Sequence, residues 1–220
     1  QRLGFTLAPL RPYRFTTTGD LYGWHRAVDG SQFLTIFVET GRIKDVPGRK
    51  IVWVVWAGAN NPFNKFADLD LKKRYGIELA TGGNILPAMV AYNNYPGMEG
   101  ASYYYFGFSK NKPNLWLVTN HYARYKSPPD FFTAGGFSSA MALVTALKKT
   151  NGDVNTNKLI STMEGMSFET PKGMMTFRKE DHQAMQSMYH FRVAPGARPG
   201  AMADLHLVKE ILPSEMDVPI

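Results

Sequence analysis

Ile51-Val52-Trp53-Val54-Val55-Trp56 is a nearly continuous apolar, β-branched and aromatic run. It is bounded by Pro47-Gly48 on one side and by Gly58, Asn60, Asn61 and Pro62 on the other, the composition of a strand buried on both faces of a parallel sheet. Behind it, Phe63 to Tyr75 carries Phe63, Phe66, Leu69 and Leu71 among charged residues, which predicts a helix closed by Gly76. Ile77 to Ala80 then restarts as a short strand. The sum is a βαβ unit, and open sheets built this way bind ligands at the carboxyl ends of their strands. The loops at those ends are Trp56-Ala57-Gly58-Ala59-Asn60-Asn61 and Ala80-Thr81-Gly82-Gly83-Asn84-Ile85-Leu86-Pro87. Gly82-Gly83-Asn84 is not a phosphate loop, because no Lys-Ser/Thr follows and no G-x-G-x-x-G is present. A turn that needs positive φ and a turn that also lines a pocket are both open readings for it.

Downstream the pattern continues as α/β. Leu86 to Tyr95 predicts a helix, and Ala101 to Phe108 an aromatic-rich strand. Helices are expected over Asn114 to Tyr125, Gly136 to Thr150 and Asn157 to Gly165, the second with apolar residues at Met141, Val144 and Leu147 and a Lys148-Lys149 end suited to the helix dipole. Met174 to Phe177 and Met188 to Val193 read as two strands around the charged turn Arg178 to His182. Leu205 to Leu212, after a loop holding Pro195, Gly196, Pro199 and Gly200, is a weak helix or strand. The first 47 residues are broken by Pro and Gly at short intervals, and only Phe33 to Glu39 looks like an element.

The 220 residues carry a formal charge of +7, yet Lys and Arg are scattered. Their densest cluster, Lys72-Lys73-Arg74, sits beside Asp68 and Asp70 as a solvated helix face. No basic stripe of the kind that tracks phosphates is present, so a nucleic-acid partner is not expected. With no cysteine, disulfides, thiolate metal sites and cysteine nucleophiles are excluded. The five histidines, His25, His121, His182, His190 and His206, form no metal-binding spacing, and no cofactor motif is found. The longest uninterrupted apolar run, Ile51 to Ala57, is strand-sized and too short to span a bilayer.

Two features invite catalytic readings. Gly136-Phe137-Ser138-Ser139-Ala140 is one residue away from the G-x-S-x-G nucleophile elbow of an α/β hydrolase. The plainer reading makes Ser138 or Ser139 a helix N-cap, since no local spacing supplies the acid and the His. His182 beside Glu180 and Asp181 is a hydrogen-bonded surface residue in a charged turn before it is an acid–base group. Tyr103-Tyr104-Tyr105 could stack bases, with alternating core and surface aromatics the stronger explanation.

Several stretches together resemble the solute-binding proteins of ABC importers, in the type I, branched-chain (Leu/Ile/Val-binding) family. They are Val52 to Gly58, Ala80 to Asn84, Pro96-Gly97-Met98-Glu99-Gly100-Ala101, Pro129-Asp130-Phe131-Phe132 and Gly173 to Gln183. The resemblance implies two α/β lobes joined by a hinge, a parallel sheet flanked by helices, closure on a small amino acid or related solute, delivery to a membrane permease, no catalysis and a periplasmic or other extracytoplasmic location. A ligand-sensing module on the same scaffold is the related alternative. The ligand-binding residues it implies are Trp56, Ala57, Gly58 and Asn60 in one loop, Thr81, Gly82 and Asn84 in the next, and Tyr103 where the chain enters the hinge.

The implied organisation is an unassigned segment 1–47, a second-lobe βαβ region and hinge strand 48–108, helices 109–170 that would pack on the first lobe, a second-lobe hairpin 171–194 and a tail 195–220. The chain thus holds mainly the second lobe with partial helical cover of the first, as a fragment, a truncated reading frame or a rearranged member, with any export signal outside it. Half of the cleft being absent implies that the isolated chain binds solute weakly or not at all. Relatives that bind leucine-like amino acids commonly carry an acidic residue in the turn matching Thr81 to Asn84. This turn has none, so a neutral or aromatic carboxylic solute competes with a zwitterionic amino acid, whose ammonium would be costly to bury unpaired.

Overall fold

The run at Ile51 builds the edge of a sheet, not its centre. In the computed structural model, which describes residues 14–15, 19–20, 22–26, 32–36, 50–54, 63–82, 85–195, 201–216 and 218–220, the chain divides into two compact units, Gln1–Lys50 and Ile51–Ile220. In the first, β1 (Arg14–Phe15) pairs antiparallel with β2 (Gly19–Asp20), and β3 (Tyr22–Arg26) with β4 (Gln32–Ile36), Trp24 opposite Leu34. The strand expected from Phe33 therefore exists as far as Ile36, and its last three residues lie outside the described residues.

The second unit is a mixed sheet flanked by helices, with strand order β12-β11-β7-β6-β5. Its strands are β5 (Lys50–Val54), β6 (Ile77–Thr81), β7 (Glu99–Ser102), β11 (Met188–Val193) and β12 (Leu205–Ile211). β6 and β7 pair in parallel, and β11 runs antiparallel to both β7 and β12. The expectation that Ile51 to Trp56 is buried on both faces is corrected. Val54 is buried, but Ile51 and Trp53 keep 48% and 56% of their surface exposed, because β5 is an edge strand covered on one face.

The helix expected over Phe63 to Tyr75 is two helices, α1 (Phe63–Leu69) and α2 (Leu71–Tyr75), interrupted at Asp70, whose φ of 45° is left-handed. Asp tolerates that region better than most residues. Gly76, also left-handed, caps α2 as expected and gives its N–H to Lys72 O at 3.0 Å. Helix α3 (Leu86–Ala91) continues as a 3-10 turn over Tyr92–Asn94.

Three further helices have side-chain N-caps. Asn111 opens α4 (Lys112–Tyr125), Asp130 opens α5 (Phe131–Lys149) and Asn155 opens α6 (Thr156–Met163). Asp130 Oδ1 accepts from the Thr133 N–H at 3.0 Å, so α5 starts five residues before the expected Gly136. On length and mean hydropathy alone α5 matches a membrane span. Here its Ala142 and Ala146 pack against Met166, Phe168 and Met175.

The aromatic strand is shorter than expected. β7 stops at Ser102, whose hydroxyl accepts from the Tyr104 N–H at 3.1 Å and donates to Tyr104 O at 2.8 Å, pulling the backbone into a turn. The two strands expected around Arg178 to His182 also belong to different sheets. β9 (Gly173–Phe177) pairs with β8 (Ser167–Thr170) and with the two-residue β10 (Ala184–Met185), while β11 joins the large sheet. Arg178 closes the charged turn through Asp181 (Nη2 to Oδ2, 2.5 Å) and through its N–H to Gln183 O (2.8 Å). Leu205 to Ile211 resolves as a strand. The principal core gathers Phe63, Ala88, Met89, Tyr92, Phe191 and Val193 between the large sheet and the α1–α3 layer.

Candidate functional site

The carboxyl ends of β5, β6 and β7 lie along one edge. Thr81 is opposite Gly100 in the parallel ladder, and the Gly82 N–H reaches Val54 O at 3.4 Å. A crevice at such an edge is where α/β sheets take ligands. Of the residues expected there, Trp56, Ala57, Gly58, Asn60 and Asn84 lie outside the described residues. Thr81 is wholly buried, its hydroxyl 2.7 Å from that of Tyr92, and Gly82 is half-buried beside it.

Tyr103, immediately after β7, faces a cleft of about 230 Å³ between α5 and the small sheet. Gly135 and Ser138 of α5, Phe168, Met175 and Phe177 of the small sheet, and Gln186 complete most of its wall. Burial raises the Tyr103 phenol above its ordinary pKa, against an opposing hydrogen-bond contact with Ser138.

Lys172, which contacts the cleft residues Tyr103 and Gln186, is a buried residue that the sequence does not single out. It stands in the two-residue turn Pro171-Lys172 between the paired Thr170 and Gly173, and the Thr170 hydroxyl accepts from its N–H at 3.1 Å. Asn111 Nδ2 donates to Thr170 O (2.7 Å) and the Tyr189 hydroxyl donates to Lys172 O (3.2 Å), so the turn is drawn inward. Lys172 is 6% exposed. Its Nζ donates to Gln186 Oε1 at 2.8 Å and sits 3.7 Å from the Tyr103 ring centre, a cation–π distance. Burial pushes its pKa down to about 7, with Glu210 opposing. A Lys in a Pro-Gly turn reads as solvated, and no local signal marks it as buried.

The hydrolase reading fails on geometry. Ser138 is in the middle of α5, not at a strand-to-helix turn, and its hydroxyl donates to Ala134 O at 2.8 Å. His182 Nε2 is held by Glu164 Oε1 at 3.2 Å, and His190 by Glu99. The N-cap role expected of Ser138 or Ser139 belongs to Asp130. Tyr104 and Tyr105 are buried, so they offer no stacking platform for bases. Among the described residues no group of three His, Asp or Glu could hold a metal.

The family profile described as periplasmic binding protein matches residues 44–198, and the chain belongs to that family. It is 57% identical to a solved ABC-type branched-chain amino acid transporter from Rhodopseudomonas palustris CGA009, with a TM-score of 0.72, over 82% of this chain and 49% of that one. A solute binding protein of an ABC transporter from Rhodopseudomonas palustris BisB5, solved with 3,4-dihydroxybenzoic acid, shares the fold at 22% identity and a TM-score of 0.63, over 79% of this chain and 47% of that one. A short stretch of 50 residues, 23% of the chain, is 46% identical to the sulfite reductase [NADPH] hemoprotein beta-component of Aeromonas hydrophila, of which it covers 9%. The chain thus spans about half the length of these solved structures and about a tenth of that curated relative.

Proposed function

We propose that this chain is part of the extracytoplasmic solute-binding component of an ABC importer. It holds an amino acid or a related hydrophobic or aromatic carboxylic solute without covalent chemistry and presents it to a membrane permease. The observation that carries the reading is the family match over residues 44–198, which include the cleft beside Tyr103, together with the 57% identity to the branched-chain amino acid transporter. On this reading the segments that follow β5 and β6 in sequence, Trp56 to Asn60 and Thr81 to Asn84, supply the rest of the binding surface. Phe168, Met175 and Phe177 give the cleft an apolar interior suited to a small hydrocarbon or aromatic body.

The test is a thermal-shift titration of the chain with leucine, aromatic amino acids and small aromatic acids. A solute bound by the folded state raises the melting temperature with concentration. A rise confined to one chemical class supports the reading; no rise for any class to millimolar concentration rejects it for this chain.

A further inference from the structure

Lys172 is the one charged side chain that is buried among the described residues. No carboxylate of the described residues forms an ion pair with it. The titratable groups that face it are Tyr103 at the end of β7, Tyr189 on β11, whose ring centre is 5.7 Å from Nζ, and Glu210 of β12, paired opposite Tyr189. A buried ammonium with an amide oxygen and an aromatic face is only partly compensated, because neither neighbour carries a full negative charge. Both groups that hold Nζ, the Tyr103 ring and the Gln186 amide, are also walls of the cleft.

Resting on the reading of this cleft as a solute site, we propose that Lys172 selects its solute by an acid group. The carboxylate lies against the Tyr103–Gln186 wall, Lys172 supplies the countercharge behind it, and the hydrocarbon body lies on Phe168 and Met175. The sign of the site follows: an anion relieves the buried cation, and an isosteric neutral amide does not. Binding is also coupled to protons. Desolvation leaves the free amine largely neutral above pH 7, and an arriving carboxylate favours the ammonium, so the complex takes up a proton.

The experiment titrates the chain calorimetrically with benzoate and benzamide, and with 4-methylpentanoate and its amide, at pH 8 in phosphate and in Tris. The acids are expected to bind roughly ten- to a hundred-fold more tightly than their amides, the scale of a hydrogen bond to a charged group. The heat should differ between buffers as proton uptake requires, and that difference should vanish at pH 6. K172M loses both the acid preference and the uptake, whereas K172R keeps the preference without the uptake.

Equal binding of acid and amide by the unaltered chain overturns the role of Lys172 and leaves the cleft a solute site. Acid preference undiminished in K172M does the same. Failure of all four solutes to bind overturns the solute site itself and this assignment with it.

Discussion

The hydroxyl of Thr81, the last residue of β6, lies 2.7 Å from the hydroxyl of Tyr92, the residue that follows α3. Both side chains are fully buried, so the bond ties the strand end that leads into the Gly82 turn to the far end of the helix that leaves it. The Tyr92 ring packs edge-on against Phe63 of α1 at 5.0 Å. Tyr92→Phe should lower stability by about 1 kcal/mol, the net worth of one internal hydrogen bond. Tyr92→Ala should cost about 3–5 kcal/mol, as for other large aromatic deletions in cores. Urea unfolding of the two variants checks this, and equal losses would deny the hydroxyl any role.

Stability should pass through a maximum on the alkaline side. Burial holds the Lys172 amine down to about 7, so between that pH and the ordinary lysine value the unfolded chain binds more protons and stability rises, by at most about 1.4 kcal/mol per pH unit. Burial pushes the phenols of Tyr92 and Tyr105 up to about 12, and those of Tyr95, Tyr104 and Tyr189 upward as well. Their contribution is complete below the ordinary phenol value near 10 and is lost as pH rises through the folded values. Urea midpoints from pH 6 to 11 should climb and then fall, and K172M should flatten the climb alone.

Gly100 admits no side chain. A Cβ there would lie 2.4 Å from Thr81 O and 2.8 Å from Phe191 Cζ, and the first of these is backbone of the neighbouring parallel strand. Gly100→Ala should therefore cost at least about 1–3 kcal/mol through overpacking. It should also displace the end of β6, which hydrogen–deuterium exchange at Thr81 and Gly82 would register. An unchanged melting temperature would mean that the two strands separate freely.

The outer face of α5 and its neighbour α4 leaves Phe132, Leu143, Val144, Leu115 and Trp116 exposed. Exposed apolar surface of this extent promotes association. Light scattering should show mass rising with concentration for the chain, and the double variant Leu143→Lys, Val144→Lys should reduce it without loss of helix content. A concentration-independent monomer mass for the unaltered chain would contradict this.

The helices were legible where periodicity and caps coincide. Gly76 ends α2 as its position foretells, and the helix following Asn84 appears at Leu86. The breaks were less legible: Asp70 at φ 45° interrupts an apolar pattern that runs through it, and Ser102 ends β7 by a side-chain bond that competes with the ladder. Propensity alone would continue the strand through Tyr103 to Phe108. At the candidate cleft, the resemblance singles out Tyr103, whereas no pattern in the sequence singles out Lys172. Its burial comes from Asn111, Tyr189 and Gln186, which converge on it only in three dimensions.

Asn111 has two tasks at once. Its Oδ1 accepts the Asn114 N–H that starts α4, while its Nδ2 holds Thr170 O at a turn 59 positions downstream. The first turn of a helix and the tip of a hairpin are therefore a single joint, fastened by one amide. Tyr189 fastens the same tip to the large sheet. Any movement that carries α4 away from that sheet must either part this joint or take the hairpin along, so the cleft wall inherits its position from a helix start rather than from the strands that flank it.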